Sequence, residues 1–142
     1  MPTLIFVLRV LLGGVFLLAG LLKAGHPAAL AVTITAFRLL PAFVVVPLAV
    51  FLPFFEIGLG VYLVLGLFTR AVASLVCLQL VVFAGAIASV VARGIVTSCG
   101  CFGPADSAPA SWWDVGRDLA LACLSLAIVR FAPGRWALDA RL

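Results

Sequence analysis

Residues 71–91 read AVASLVCLQLVVFAGAIASVV, a run with no proline, no charge and a single glycine. A helix of about 20 apolar residues crosses a hydrocarbon core, so this stretch predicts a membrane-spanning helix. The rest of the chain agrees. Across 142 residues it is 66% hydrophobic and 10% charged, with a mean hydropathy of +1.38, whereas a soluble domain carries about 25% charged residues. A small soluble fold buries only about two-thirds of the surface its unfolded chain exposes. The solvent this composition demands is membrane lipid.

Three further spans are expected around the first. Residues 4–22 are interrupted only by Arg9, expected to snorkel to the headgroups. The stretch 42–68 contains Pro47 and Pro53 and is expected to kink or to begin as a separate short piece. Thr69 and Arg70 alone join it to 71–91, which makes the two antiparallel neighbours. Residues 113–131 open at Trp112 and Trp113, side chains suited to interfacial depth. Between the first two spans, Gly25, His26 and Pro27 form a turn, and Leu30, Ile34 and Phe37 recur at helical spacing. A short interfacial helix is expected there. Small residues (Gly13, Gly14 and Gly20; Gly58 and Gly60; Ala84, Gly85 and Ala88) offer close helix contacts. The expected fold is all-α and integral to the membrane. It is a single domain, 1–142, a four-transmembrane-helix bundle with a short interfacial helix between helices 1 and 2.

The basic residues set the expected orientation. Arg9, Arg70, Arg130, Arg135 and Arg141 lie on the side of the termini. Lys23, Arg38, Arg93 and Arg117 lie on the other, diluted by Asp106, Asp114 and Asp118. Positive charge prefers the cytoplasmic face. The termini are therefore expected in the cytoplasm and the 92–112 loop outside, in a multi-pass inner (plasma) membrane protein. The N-terminal run lacks basic residues ahead of its apolar stretch and reads as a retained span, not a leader. A net charge of +4 with no basic stripe excludes nucleic acid as a partner.

The outward loop contains TSCGCFGP, residues 97–104. Cysteines one residue apart reach the Cα separation of about 4.4–6.8 Å that a disulfide requires only if the backbone between them bends. Gly100 supplies that bend, and the small ring that results is expected to be strained and hence reducible. A bridge closing so short a loop adds little stability. Cys99 and Cys101 are therefore the candidate catalytic pair of a thiol–disulfide exchange. Spacing leaves two other readings open: a soft-metal site for Cu(I) or Hg(II) on Cys99 and Cys101, with His26 on the same side, and a loop that docks a partner without chemistry. Cys77 and Cys123 lie in spans, both about 9–12 Å in from the cytoplasmic side. They are either a second buried redox pair or small packing residues.

Glu56 stands inside a span, in LPFFEIGLG. A carboxylate there is costly and faces the bundle interior, which makes it a functional candidate. Lys23 and Arg38, on the outward side, are the expected partners, and Arg70 is too far along the helix. Arg117, between Asp114 and Asp118 in WWDVGRD, lies near the cysteine loop; it is either an interfacial anchor or a group that biases the loop's thiolates or a partner's approach.

Four separated segments carry a resemblance: LRVLLGGVFLLAGLLKAGHP (8–27), LPFFEIGLGVYLVLGLFTR (52–70), SCGCFG (98–103) and WWDVGRDLALA (112–122). Occurring in this order, they resemble the MauE branch of the DoxX-like membrane protein family. The resemblance implies a four-helix membrane protein tied to disulfide chemistry outside the cytoplasm. Its implied partner is an extracytoplasmic thioredoxin-like or maturing protein, since the family is associated with maturation of a disulfide-rich dehydrogenase subunit. The plan is also similar to DsbB and vitamin K epoxide reductase, a likeness that implies a quinone as cofactor. The chain departs from those enzymes in having Cys-x-Cys in place of Cys-x-x-Cys, and in placing its other cysteines within spans.

Overall fold

The computed structural model describes residues 2–95 and 111–131. Five helices, and no strand among the described residues, run in the order α1 (Pro2–Ala24), α2 (Pro27–Phe37), α3 (Ala42–Leu65), α4 (Thr69–Ala92) and α5 (Trp112–Phe131). Three of them, α1, α3 and α4, are long and apolar enough to cross a membrane. Helix α5 has 20 residues and occupies the expected fourth span. Asp114, Arg117 and Asp118 in its first two turns hold it below that threshold. The short helix between the first two spans is present as α2, with Pro27 opening it, where a missing N–H costs nothing.

The helices pack as two pairs, α1 on α3 and α4 on α5. Glycine sets the first contact. A Cβ on Gly13 would lie 2.9 Å from the Gly60 carbonyl oxygen, and one on Gly20 would lie 2.7 Å from that of Pro53. The register, 13 against 60 and 20 against 53, makes α1 and α3 antiparallel. Close backbone approach of this kind substitutes for the hydrophobic drive that lipid does not supply. Gly14, Gly58 and Gly85 meet nothing within 4 Å and take no part. The core between the pairs includes Leu12, Phe16, Leu63, Val76, Leu80 and Ile128.

The structure corrects two expectations and removes one alternative of a third. Arg9 does not snorkel; it is fully buried, its guanidinium carbon 5.3 Å from the Phe6 ring centre. Helical phase decides this, because Ile5, Arg9, Leu12, Phe16, Ala19 and Lys23 form one inward stripe at spacings of three and four. Helix α3 is continuous through Pro47 and Pro53 and has no separate leading piece. The α3–α4 connection is residues 66–68, and Thr69 and Arg70 belong to the first turn of α4. Gly66 ends α3 at φ 75°, and its N–H and that of Leu67 both donate to the Tyr62 carbonyl, at 2.8 and 3.0 Å. Phe68 follows at φ 51°, a conformation that favours glycine.

Candidate functional site

Each of the four long helices places a polar residue on its buried stripe: Lys23 on α1, Glu56 on α3, Gln79 on α4 and Asp118 on α5. All four are at most 8% exposed. Three of them meet directly. Lys23 Nζ donates to both oxygens of Glu56, at 3.0 Å to Oε1 and 2.9 Å to Oε2. Gln79 Nε2 donates to Glu56 Oε1 at 2.8 Å. The ammonium also lies 5.7 Å from the centre of the Phe83 ring, within cation–π range.

The fourth residue belongs to a second ionic group on α5. Arg117 donates to Asp118 Oδ1 through Nε at 3.3 Å and Nη2 at 3.2 Å, and its Nη1 lies 3.3 Å from Asp114 Oδ1. Asp114 Oδ2 in turn accepts from the Ser111 N–H at 3.0 Å. This is the carboxylate half of a capping box, read in the sequence as S-W-W-D, and it fixes where α5 begins. A cavity of about 30 Å³ separates the two groups, with Lys23, Glu56, Arg117 and Asp118 on its wall. That is room for one water molecule. Gln79 Oε1 and Asp118 Oδ2 are buried without a hydrogen-bond partner.

Chemically, the centre is an ion pair held away from water. Such a pair contributes little net stability, because desolvation offsets attraction, yet leaving either charge alone is costly. Its position is set by the short reach between α1 and α3. Its donors and acceptors are nearly all spent within the protein. The exceptions are Gln79 Oε1 and the ammonium, which has three hydrogens and gives two to Glu56.

Of the residues singled out in sequence, the structure brings Lys23, Glu56 and Arg117 to this centre. Arg38, the alternative partner for Glu56, instead caps α2 in a left-handed conformation at φ 55°. His26 is exposed at the start of α2 and makes no side-chain cap bond. Cys77 and Cys123 are both free thiols; Cys77 packs partly buried against the core, whereas Cys123 is exposed. Cys99, Gly100 and Cys101 lie outside the described residues. The segment that contains them leaves α4 and enters α5 at one end of the bundle. Arg93, just past α4, donates through Nη2 to the Phe37 carbonyl at the end of α2 and through Nε to Ser89 Oγ at 3.1 Å. Among the described residues no group of three or more His, Cys, Asp or Glu side chains is placed to hold a metal ion.

Sequence reasoning missed Gln79. Its signal was available, as the only strongly polar side chain in 71–91 and one that falls on the buried phase of that helix.

The family model for the methylamine utilisation protein MauE matches residues 1–131. A methylamine utilization protein MauE of Paracoccus denitrificans is 35% identical over 133 residues, covering 93% of this chain and 72% of the relative. A second, from Methylorubrum extorquens, is 36% identical over 98 residues, covering 68% of this chain and 53% of the relative. The chain thus spans about half the length of that second relative. No solved structure matches.

Proposed function

This chain belongs to the MauE family of methylamine utilisation membrane proteins, and from that premise we propose that it exchanges disulfides with a protein partner through Cys99 and Cys101. One observation carries the reading: a Cys-Gly-Cys pair sits in the single long connection of an otherwise apolar chain. Both ends of that connection are fastened, by Arg93 to α2 and by the Ser111–Asp114 cap. The described residues on either side of that connection, Arg93 and Ser111, lie at the end of the bundle nearest the buried ionic centre. We place this end outside the plasma membrane, where disulfides persist.

In the exchange, a partner thiolate attacks one sulfur of the Cys99–Cys101 bridge. That S–S bond breaks and a mixed disulfide forms. The partner's second thiolate then attacks the mixed bond and releases the remaining cysteine as thiolate. Two electrons pass from the partner to the Cys pair, and the partner departs oxidised. Run in reverse, the same steps reduce a partner. The fitting partner is a thioredoxin-like or disulfide-bearing protein of the methylamine utilisation system. A quinone, when bound, supplies a two-electron acceptor for returning the dithiol to the disulfide. Lys23 is the residue suited to hold it, because its ammonium retains a donor.

The test is trapping in cells. Cys99→Ser or Cys101→Ser leaves one thiolate that attacks a partner disulfide and no neighbouring cysteine to release the mixed bond, so at least one variant accumulates a partner adduct that a reductant releases. No adduct from either variant, with the partner's disulfides unchanged, overturns the proposal and leaves a docking loop. Stoichiometric Cu(I) or Hg(II) binding that requires both cysteines, again without an adduct, replaces it with the metal reading.

A further inference from the structure

An apolar cavity of about 210 Å³ lies among α2, α3 and α4. Leu30, Ile34, Leu48, Leu52, Phe83 and Ile87 form much of its wall. Among the described residues, Lys23 is its one charged lining residue. Leu39, Leu40 and Val82 line it as well and are exposed, so apolar side chains connect it to the outer surface.

We infer that this cavity binds a lipid-soluble molecule through a neutral carbonyl group, hydrogen-bonded to Lys23 Nζ, with a quinone as the fitting member of that class. Three observations narrow the chemistry. The Lys23 ammonium is 2% exposed and gives two of its three hydrogens to Glu56, which leaves a desolvated donor in need of an acceptor. Its charge is already balanced by Glu56, so a carboxylate or phosphate would add an unpaired buried anion. A neutral oxygen acceptor avoids that cost. The one other polar side chain among the described lining residues is Thr33, whose hydroxyl hydrogen is given to the Ala29 carbonyl, 3.2 Å away.

Size agrees. A cavity of about 150 Å³ lined by aliphatic side chains admits benzene, so 210 Å³ takes a six-membered ring with small substituents. A tail would pass out between Leu39, Leu40 and Val82. Helix α2 is suited to be the wall of such a site. It is apolar over most of its circumference, and the Thr33 and Thr35 hydroxyls are both spent on backbone carbonyls one turn back, as in helices surrounded by hydrocarbon. The same carbonyl chemistry is found in the ester groups of membrane lipids, and the experiment separates the two sources.

The site does not require the cysteine pair, so its test stands apart from the exchange reaction. The full-length protein is placed in nanodiscs of diether phosphatidylcholine, which has no ester carbonyl, and decylubiquinone binding is measured by competition against a photoreactive quinone analogue. Crosslinks map to α2 and α4, and decylubiquinone competes at least tenfold better than decylbenzene. Ala86→Trp, which fills the cavity, lowers labelling at least tenfold, with Ala86→Phe as a milder step if the first variant fails to fold. Val46→Trp, on the exposed face of α3, leaves labelling unchanged. The paired change Lys23→Met with Glu56→Leu removes both charges together and abolishes the preference for the quinone over decylbenzene. A Cys99→Ser, Cys101→Ser double variant binds normally. If diacyl phosphatidylcholine lowers binding tenfold relative to the diether lipid, the lipid ester is the natural occupant of the same carbonyl site. Equal competition by quinone and decylbenzene, or labelling untouched by both Ala86 variants, overturns the proposal.

Discussion

Lys23 and Glu56, 33 residues apart in sequence, form a two-point ion pair inside the bundle, with Nζ 2.9–3.0 Å from both carboxylate oxygens. Neither side chain is more than 3% exposed. The contact fixes the rotation of α1 against α3, because any other phase would leave one charge facing lipid. It also explains why a carboxylate is tolerated in LPFFEIG: it is paired with a cation from the next helix and steadied by Gln79.

Removing one partner should therefore cost more than removing both. Lys23→Met or Glu56→Leu alone is expected to destabilise the bundle by about 3–5 kcal/mol, since the surviving charge stays buried and unpaired. The double variant should recover most of that loss. Unfolding of the purified protein by denaturing detergent, analysed as a double-mutant cycle, measures the coupling.

Glycine substitutions should divide by position. At Gly20 and Gly60 a Cβ would sit 2.7 Å from backbone atoms of the facing helix, so alanine there forces α1 and α3 apart at a cost of roughly 1–3 kcal/mol. Gly14 and Gly85 have open space. Alanine at those positions should be neutral or stabilising by up to about 1 kcal/mol, through helix propensity alone. The same unfolding assay ranks all four.

Arg117 is the keystone of the α5 ionic group. Arg117→Ala removes the guanidinium bonded to Asp118 Oδ1 and leaves an acid that is 3% exposed without that partner. A loss of about 1–3 kcal/mol is expected. Asp114→Ala should cost less, because Arg117 keeps Asp118, and its effect should be confined to the start of α5. Hydrogen exchange along 111–118 distinguishes the two.

The free thiols should differ in reactivity and share a lack of function. Maleimide in detergent micelles is expected to modify exposed Cys123 faster than Cys77, which packs against the core. A Cys77→Ala, Cys123→Ala variant should still give the partner adduct with Cys99→Ser or Cys101→Ser. Loss of the adduct in that background would assign the span cysteines a part in the exchange.

Arg93 ties the end of α4 to the end of α2. Arg93→Ala should raise hydrogen-exchange rates in the last turn of α2 severalfold while leaving α1 unchanged. An unaltered α2 would show that the packing of α2 on α3 holds this wall of the cavity without the arginine.

Much of this architecture was legible residue by residue. Unbroken apolar runs gave the helices, because lipid leaves the backbone no partner but itself. Pro27 marked the start of α2, and Glu56 marked the interior by its cost. Arg9 lies near enough to the end of α1 to snorkel, but its phase on the helix turns it inward. Gln79 was passed over because an uncharged amide in a greasy run raises no alarm until its position on the buried face is known. Among the partners considered for Glu56, Lys23 and Arg38 were equivalent along the chain. Only the packing of α1 on α3 chose between them.

What the sequence determined by itself is local: which segments become helices, and which residues are too polar to face lipid. Tertiary structure alone decided which of those polar residues share one interior, and that a charge-balanced ammonium borders an apolar cavity. The reason is physical. Helix formation answers to neighbours three and four residues away, but the rotation of one helix against another follows from interlocking surfaces, set here by glycines at 13, 20 and 60.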